Sequence, residues 1–252
     1  MIDLHVHVLG EGEYGDEEAR QRFLEFQRKA LKKGVRYLGL AEHTYAVDKC
    51  FYDMVMKTKR ENGLIILLGT EADYGVNSNM ALKLAKSVPL DYIIGSVHEL
   101  NGWAFDLETE RWRYGQWDLD ELFSYYFRHV QEMVSHGNFD IIGHLDLIKK
   151  FNFLPRTPIA DLASPLLAAI SKVQATVEVN TSGWFKPVDD CYPDNAILKR
   201  LFELNVPVTL GSDAHEPDEV GRELERAKDE LKRIGYTRLA VFRQRKRYFI
   251  SL

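Results

Sequence analysis

Seven short apolar runs recur along the chain with helix-like stretches between them, and this alternation limits the fold more than any other feature. The runs are IDLHVHV (2–8), VRYLGLAEH (35–43), LIILLGTEA (64–72), DYIIGSVH (91–98), FDIIGHLD (139–146), ATVEVNTS (175–182) and VPVTLGSD (206–213). Residues 17–33, 120–135, 158–173, 195–205 and 220–234 carry the three-to-four-residue apolar spacing of helices. Asp16 and Ser78 stand where N-caps belong, and Gly34 and Gly235 where helices end. Strand and helix in turn predict a parallel sheet. No Pro/Ser/Gly-rich linker and no repeat divides the chain, so the expected architecture is one barrel, a single domain over residues 1–252.

In such a barrel the reacting groups come from the C-terminal ends of the strands. The first run ends with His5 and His7, the second with Glu42 and His43, the third with Glu71 and the fourth with His98. The fifth ends with His144 and Asp146, the sixth with Asn180, and the seventh with Asp213, followed by His215. Six of the eight histidines sit at these ends; His129 and His136 do not and are read as structural. In the opening run Ile2, Leu4, Val6 and Val8 alternate with Asp3, His5 and His7, so both imidazoles leave one face of a strand, close enough to hold one ion. Asp3 lies one layer deeper, placed to orient a ligand from behind. Imidazole with carboxylate suits Zn²⁺, Mn²⁺ or Fe²⁺, and the joint pattern predicts a polynuclear metal site at the barrel mouth.

Several other classes are disfavoured. GEGEYG (10–15) matches G-x-G-x-x-G, but Glu11, Glu13, Asp16, Glu17 and Glu18 crowd it with negative charge that would repel a pyrophosphate. A net charge of −5 without a basic stripe argues against nucleic acid. No apolar run reaches membrane-spanning length. Cys50 and Cys191 are too few and too far apart for a disulfide framework, and His5 and His7 interrupt any signal-peptide pattern, so a cytoplasmic location is expected. The stretch 99–118, ELNGWAFDLETERWRYGQWD, reads as a long ordered functional loop.

Taken together, DLHVH (3–7), AEHT (41–44), GTEADY (69–74), GSVH (95–98), GHLD (143–146) and GSDAH (211–215) resemble the motifs of the polymerase-and-histidinol-phosphatase (PHP) superfamily nearly end to end. GSVHELNGWAFD (95–106), GHLDLIKKF (143–151), VNTSGWFKP (179–187) and the stretch from Tyr192 to Gly221 are similar to its histidinol-phosphate phosphatase branch. The resemblance implies a distorted, seven-stranded (β/α)7 TIM-like barrel holding two or three divalent ions. It implies one ion on His5, His7, Glu71 and Asp213, a second on Glu71, His98 and His144 with Glu71 bridging, and a third on His43, His215 and a residue of the loop after the first strand. Many relatives have a histidine in that loop. VLGEGEYG has none, so either Glu11 or Glu13 takes its place or the third site is weak.

The activity so implied is hydrolysis of a phosphate monoester, L-histidinol phosphate above all. Two cations acidify a bridging water to hydroxide and neutralise the phosphate oxygens. Asp213 and His215 are candidates to protonate the leaving oxygen. Arg156 and Lys186 follow strand ends that carry site residues and are the candidates for holding phosphate. Trp103 and Phe105 offer faces for an imidazole, and Glu99 and Asp106 could receive an ammonium. The alternatives are a PHP phosphoesterase acting on nucleotides or another small ester, a metal amidohydrolase, or a non-catalytic metal-binding barrel.

Overall fold

A computed structural model describes residues 1–10, 12, 14–58, 63–76 and 78–252. Its strands are β1 (Ile2–Val6), β2 (Tyr37–Leu40), β3 (Ile65–Asp73), β4 (Tyr92–Ser96), β5 (Glu99–Leu100), β6 (Trp103–Ala104), β7 (Ile141–Ile142), β8 (Thr176–Asn180), β9 (Val208–Gly211), β10 (Arg238–Arg243) and β11 (Lys246–Ser251). Its α-helices are α1 (Asp16–Lys32), α2 (Lys49–Thr58), α3 (Ser78–Ser87), α4 (Leu119–His136), α5 (Ile159–Leu162), α6 (Ser164–Val173), α7 (Asn195–Glu203) and α8 (Leu224–Ile234).

Seven strands form one parallel sheet in the order β1-β2-β3-β4-β7-β8-β9. The last strand returns to the first: Val6 bridges Ala214, and His7 N donates to Ala214 O at 2.8 Å. The sheet is therefore nearly closed into a barrel, as the alternation predicted. Except for β3, which carries Glu71 and Asp73 within it, each strand is shorter than its run and stops before the run's last residues.

Tyr92 fills the barrel axis, its hydroxyl 2.8 Å from Leu4 O and 2.9 Å from Leu40 O. A Cβ on Gly39 would sit 2.1 Å from that hydroxyl, so only glycine lets the tyrosine cross. Phe242 on β10 packs beneath, its ring centroid 6.3 Å from that of Tyr92. The β10–β11 hairpin thus closes the end of the barrel opposite the histidines, tied by Gln244 N to Asp91 and by Arg245 to Asp140.

The helices depart from expectation in small ways. The stretch 158–173 is two helices, because Pro165 has no N–H to continue the ladder from α5. Helix α8 starts late, after Gly221 and Glu223 take left-handed conformations. Asp16 is not the cap of α1; Gly15 is, and Asp16, Glu17 and Glu18 instead place negative charge against the helix N-terminus. Among the described residues no helix is long and apolar enough to cross a membrane.

Candidate metal centre

The strand ends deliver the polar residues to one mouth. His5 belongs to β1 and His7 follows it; Glu71 and Asp73 end β3; His98 follows β4, His144 follows β7, and Asp213 and His215 follow β9. Four atoms then converge. His5 Nε2 lies 3.5 Å from Glu71 Oε2 and 3.7 Å from Asp213 Oδ1, and His7 Nε2 lies 3.6 and 3.5 Å from the same two oxygens. A tetrahedral ion with bonds of about 2.1 Å needs ligand atoms roughly 3.4 Å apart. His5 Nε2 and His7 Nε2 are buried without a hydrogen-bond partner, the condition a cation would relieve.

The other oxygen of Glu71 faces a second group. Oε1 is 3.0 Å from His144 Nε2 and 3.7 Å from His98 Nε2, which are 3.3 Å from each other. His7, His43 and His215 make a third group whose ligand atoms lie within 4.8 Å of one another. His43 Nδ1 reaches Glu71 Oε2 at 3.3 Å, so this one carboxylate touches all three groups. Glu11 and Glu13 lie outside the described residues.

Buried carboxylates hold this cluster in register. Glu178 Oε1 meets His5 Nδ1 at 2.7 Å, and its Oε2 accepts from His144 N at 2.9 Å. Gly211 makes room for it: a Cβ there would stand 2.1 Å from Glu178 Oε1. Asp3 does not touch an imidazole; it accepts from Ser212 N, Ser212 Oγ and Gly221 N and fixes the turn that carries Asp213. Glu42 accepts from Val8 N and Leu9 N and shapes the loop after β1; burial pushes its carboxyl up to about 8. Asp146 turns away, to Lys149 and Asp194 N.

Burial works against the charged forms of His5, His7, Glu71 and Asp213, and the neighbours decide the outcome. Despite burial, Glu178, Asp213 and Glu71 lift His5 well above the ordinary imidazole range. Despite burial, His5, His43 and His98 hold Glu71 well below the carboxylate range. Burial pushes His7 down to about 3, with His215 and His5 adding to the effect. Ionised carboxylates beside an imidazole that resists a proton suit a metal cation.

The mouth opens into a cleft of about 1060 Å³. Lys186 lines it, as does Lys150, which sequence reasoning missed in favour of Arg156. The Arg156 side chain is 83% exposed and pairs with Asp118 at 2.9 Å, outside the cleft. The segment 152–158 runs out over the surface, whereas the turn Leu147–Lys149 directs Lys150 inward; the lysine doublet two residues after GHLD was the available signal. Trp103 and Phe105 are not stacking faces for a ligand either. Both are buried, Trp103 edge-on to Tyr114 at 5.0 Å and Phe105 edge-on to Tyr126 at 5.4 Å. Stretch 99–118 is the β5–β6 hairpin and a 3-10 helix (Glu108–Gln116) built on that aromatic cluster. Asp106 lines the cleft but is engaged by Lys150, whose Nζ donates to its carbonyl at 2.6 Å and lies 3.6 Å from its carboxylate. Glu99 stands exposed at the rim, accepting from Gly102 N at 2.9 Å. His129 and His136 pack around Tyr74, away from the mouth.

The chain is similar to known proteins. A probable histidinol-phosphatase of Deinococcus radiodurans is 38% identical over 184 residues, 73% of this chain and 70% of that one. A second, of Schizosaccharomyces pombe, is 29% identical over 189 residues, 70% of this chain and 62% of that one. The crystal structure of histidinol phosphate phosphatase from Lactococcus lactis, complexed with zinc, L-histidinol and phosphate, has a TM-score of 0.78 over 98% of both chains, at 19% identity. That likeness shows the barrel. The PHP domain model matches residues 3–182, from β1 through β8, and the chain belongs to the PHP domain family.

Proposed function

We propose that this protein is a metal-dependent phosphatase that hydrolyses L-histidinol phosphate to L-histidinol and phosphate. The observation that carries the reading is Glu71, whose two oxygens face two separate groups of imidazoles at the floor of a cleft lined by Lys150 and Lys186. The names of the relatives supply the substrate, and the zinc, L-histidinol and phosphate of the Lactococcus structure support both metal and ester. Two free cysteines fit a reducing, cytoplasmic setting.

His5, His7, Glu71 and Asp213 would hold one divalent ion, and Glu71, His98 and His144 a second. His43 and His215, beside His7, would hold a third where it binds. The donor set admits zinc, manganese or iron. Such ions supply an acidified water and neutralise charge on a phosphate.

The chain's own residues do the rest. Lys186, and Lys150 in the place first given to Arg156, hold the phosphate oxygens. Asp213 is taken on both sides, by His5 and His7 through Oδ1 and by Asn180 and Ser182 through Oδ2, so it positions rather than donates. Where no third ion is bound, His215, its side chain 36% exposed at the mouth, is placed to hand a proton to the leaving alkoxide. Glu99 at the rim is the acid left to meet an ammonium. Tyr45, stacked on His43 at 5.2 Å and facing the cleft, offers the aromatic surface that Trp103 does not.

The test is phosphate release by metal-reconstituted protein from L-histidinol phosphate, AMP, a short oligonucleotide and p-nitrophenyl phosphate. A kcat/KM for histidinol phosphate far above the others is expected. Comparable slow rates on all four would retire the substrate while keeping the metal site.

A further inference from the structure

Asp73 has no part in the ligand sets or the phosphate cradle. It stands two residues beyond Glu71 on β3, so its side chain leaves the same face of the strand. It is buried, and its Oδ1 takes His98 Nδ1 in a close hydrogen bond. Its Oδ2 faces His43 Nδ1 at 3.8 Å, beyond hydrogen-bond reach. The two imidazoles it addresses are 5.6 Å apart, edge to face, and belong to different groups: His98 with Glu71 and His144, His43 with His7 and His215.

We infer that Asp73 is a positioning residue shared by two of the ion sites, orienting His98 by hydrogen bond and His43 through the field of its carboxylate on the ring dipole. The inference rests on the metal reading above. A carboxylate that accepts from Nδ1–H fixes the imidazole tautomer, leaves the Nε2 lone pair for a cation, and makes that nitrogen more basic. His98 Nε2 is aimed accordingly, at Glu71 Oε1 and His144 Nε2. Val76 N and Ser78 Oγ donate to the Asp73 backbone carbonyl, contacts of the turn after β3 that any substitution keeps.

The experiment strips the full-length chain with a chelator and titrates zinc back against a chromophoric competitor, for wild type, Asp73→Ala, Asp73→Asn, His98→Ala and Asp73→Ala/His98→Ala. Wild type should take up at least two ions. Asp73→Ala should weaken the looser ions about 10–100-fold and leave the tightest, held by His5, His7 and Asp213, unchanged. Asp73→Asn keeps an oxygen acceptor for His98 and should fall between. In the His98→Ala background, Asp73→Ala should still weaken the remaining ion at His43. Unchanged zinc affinities in Asp73→Ala would overturn the inference, and so would the absence of any further effect in the His98→Ala background. A wild-type chain that takes up no zinc would overturn the metal reading itself. Metal-free Tm and circular dichroism equal to wild type mark a folded variant; where Asp73→Ala does not fold, the near-isosteric Asp73→Asn decides by the same criteria.

Discussion

Glu178 and His5, 173 residues apart in the chain, meet at 2.7 Å beneath the imidazole cluster. The other Glu178 oxygen holds the backbone of His144, so one buried acid steadies an imidazole in each of two groups. Glu178→Ala is expected to lower zinc affinity about 10–100-fold, measured by chelator competition. An unchanged affinity would leave Glu178 a packing residue only.

Lys186 and Arg156 separate what the cleft uses from what lies outside it. Lys186→Ala should lower kcat/KM for a phosphate ester about 10–100-fold, mostly through KM, the usual cost of losing a charged hydrogen bond. Arg156→Ala, removing an exposed pair with Asp118, should change neither constant by more than about twofold. Steady-state kinetics of both variants on one substrate would reverse this assignment if Arg156 proved the costlier loss.

Trp103 lies under the cleft wall, not in it. Trp103→Ala should cost about 3–5 kcal/mol of stability, read by urea unfolding. Its effect on turnover should be equal for histidinol phosphate and p-nitrophenyl phosphate; a loss confined to histidinol phosphate would put the indole back in contact with substrate.

Burial holds the hydroxyls of Tyr52, Tyr92, Tyr114, Tyr126 and Tyr236 above their ordinary value of 10.0. The unfolded chain releases these protons near pH 10 while the native chain keeps them. Their contribution to stability is therefore complete below pH 10 and is lost as pH rises beyond it, by about 1.4 kcal/mol per unit for each tyrosine. Together they outrun a typical net stability of about 5–15 kcal/mol within one or two units. The tyrosinate absorbance of these five should appear in the same cooperative step as the loss of helical dichroism, after that of the exposed tyrosines. Gradual ionisation of the full set of tyrosines with the helices intact would contradict the burial.

The mouth of the barrel was legible because its chemistry interrupts apolar runs at their ends: His5, His98, His144 and Asp213 could be read one strand at a time. Asp73 and Glu178 were open to the same reasoning, each two residues from a residue already singled out on its strand, Glu71 and Asn180. The β10–β11 hairpin was not, since Leu239, Ala240, Val241 and Phe242 are buried on both faces and show no alternation, and the basic run after them reads as solvated loop. Which cation faces inward depended on a single turn after His144, where local geometry favours Lys150 over Arg156 and composition is silent.

The seam of the barrel joins β1 to the segment after β9, with Asp3 and Ser212, 209 residues apart, bonded across it. His5 and His7 stand on one side of that seam and Asp213 on the other. An ion held between them would act as a reversible clasp around most of the polypeptide, restricting the unfolded chain much as a cross-link over a very long loop does. A ribosome must then have made the chain through Asp213 before the clasp can shut, so metal capture would be among the last events of folding and would mark a barrel that has found both its ends.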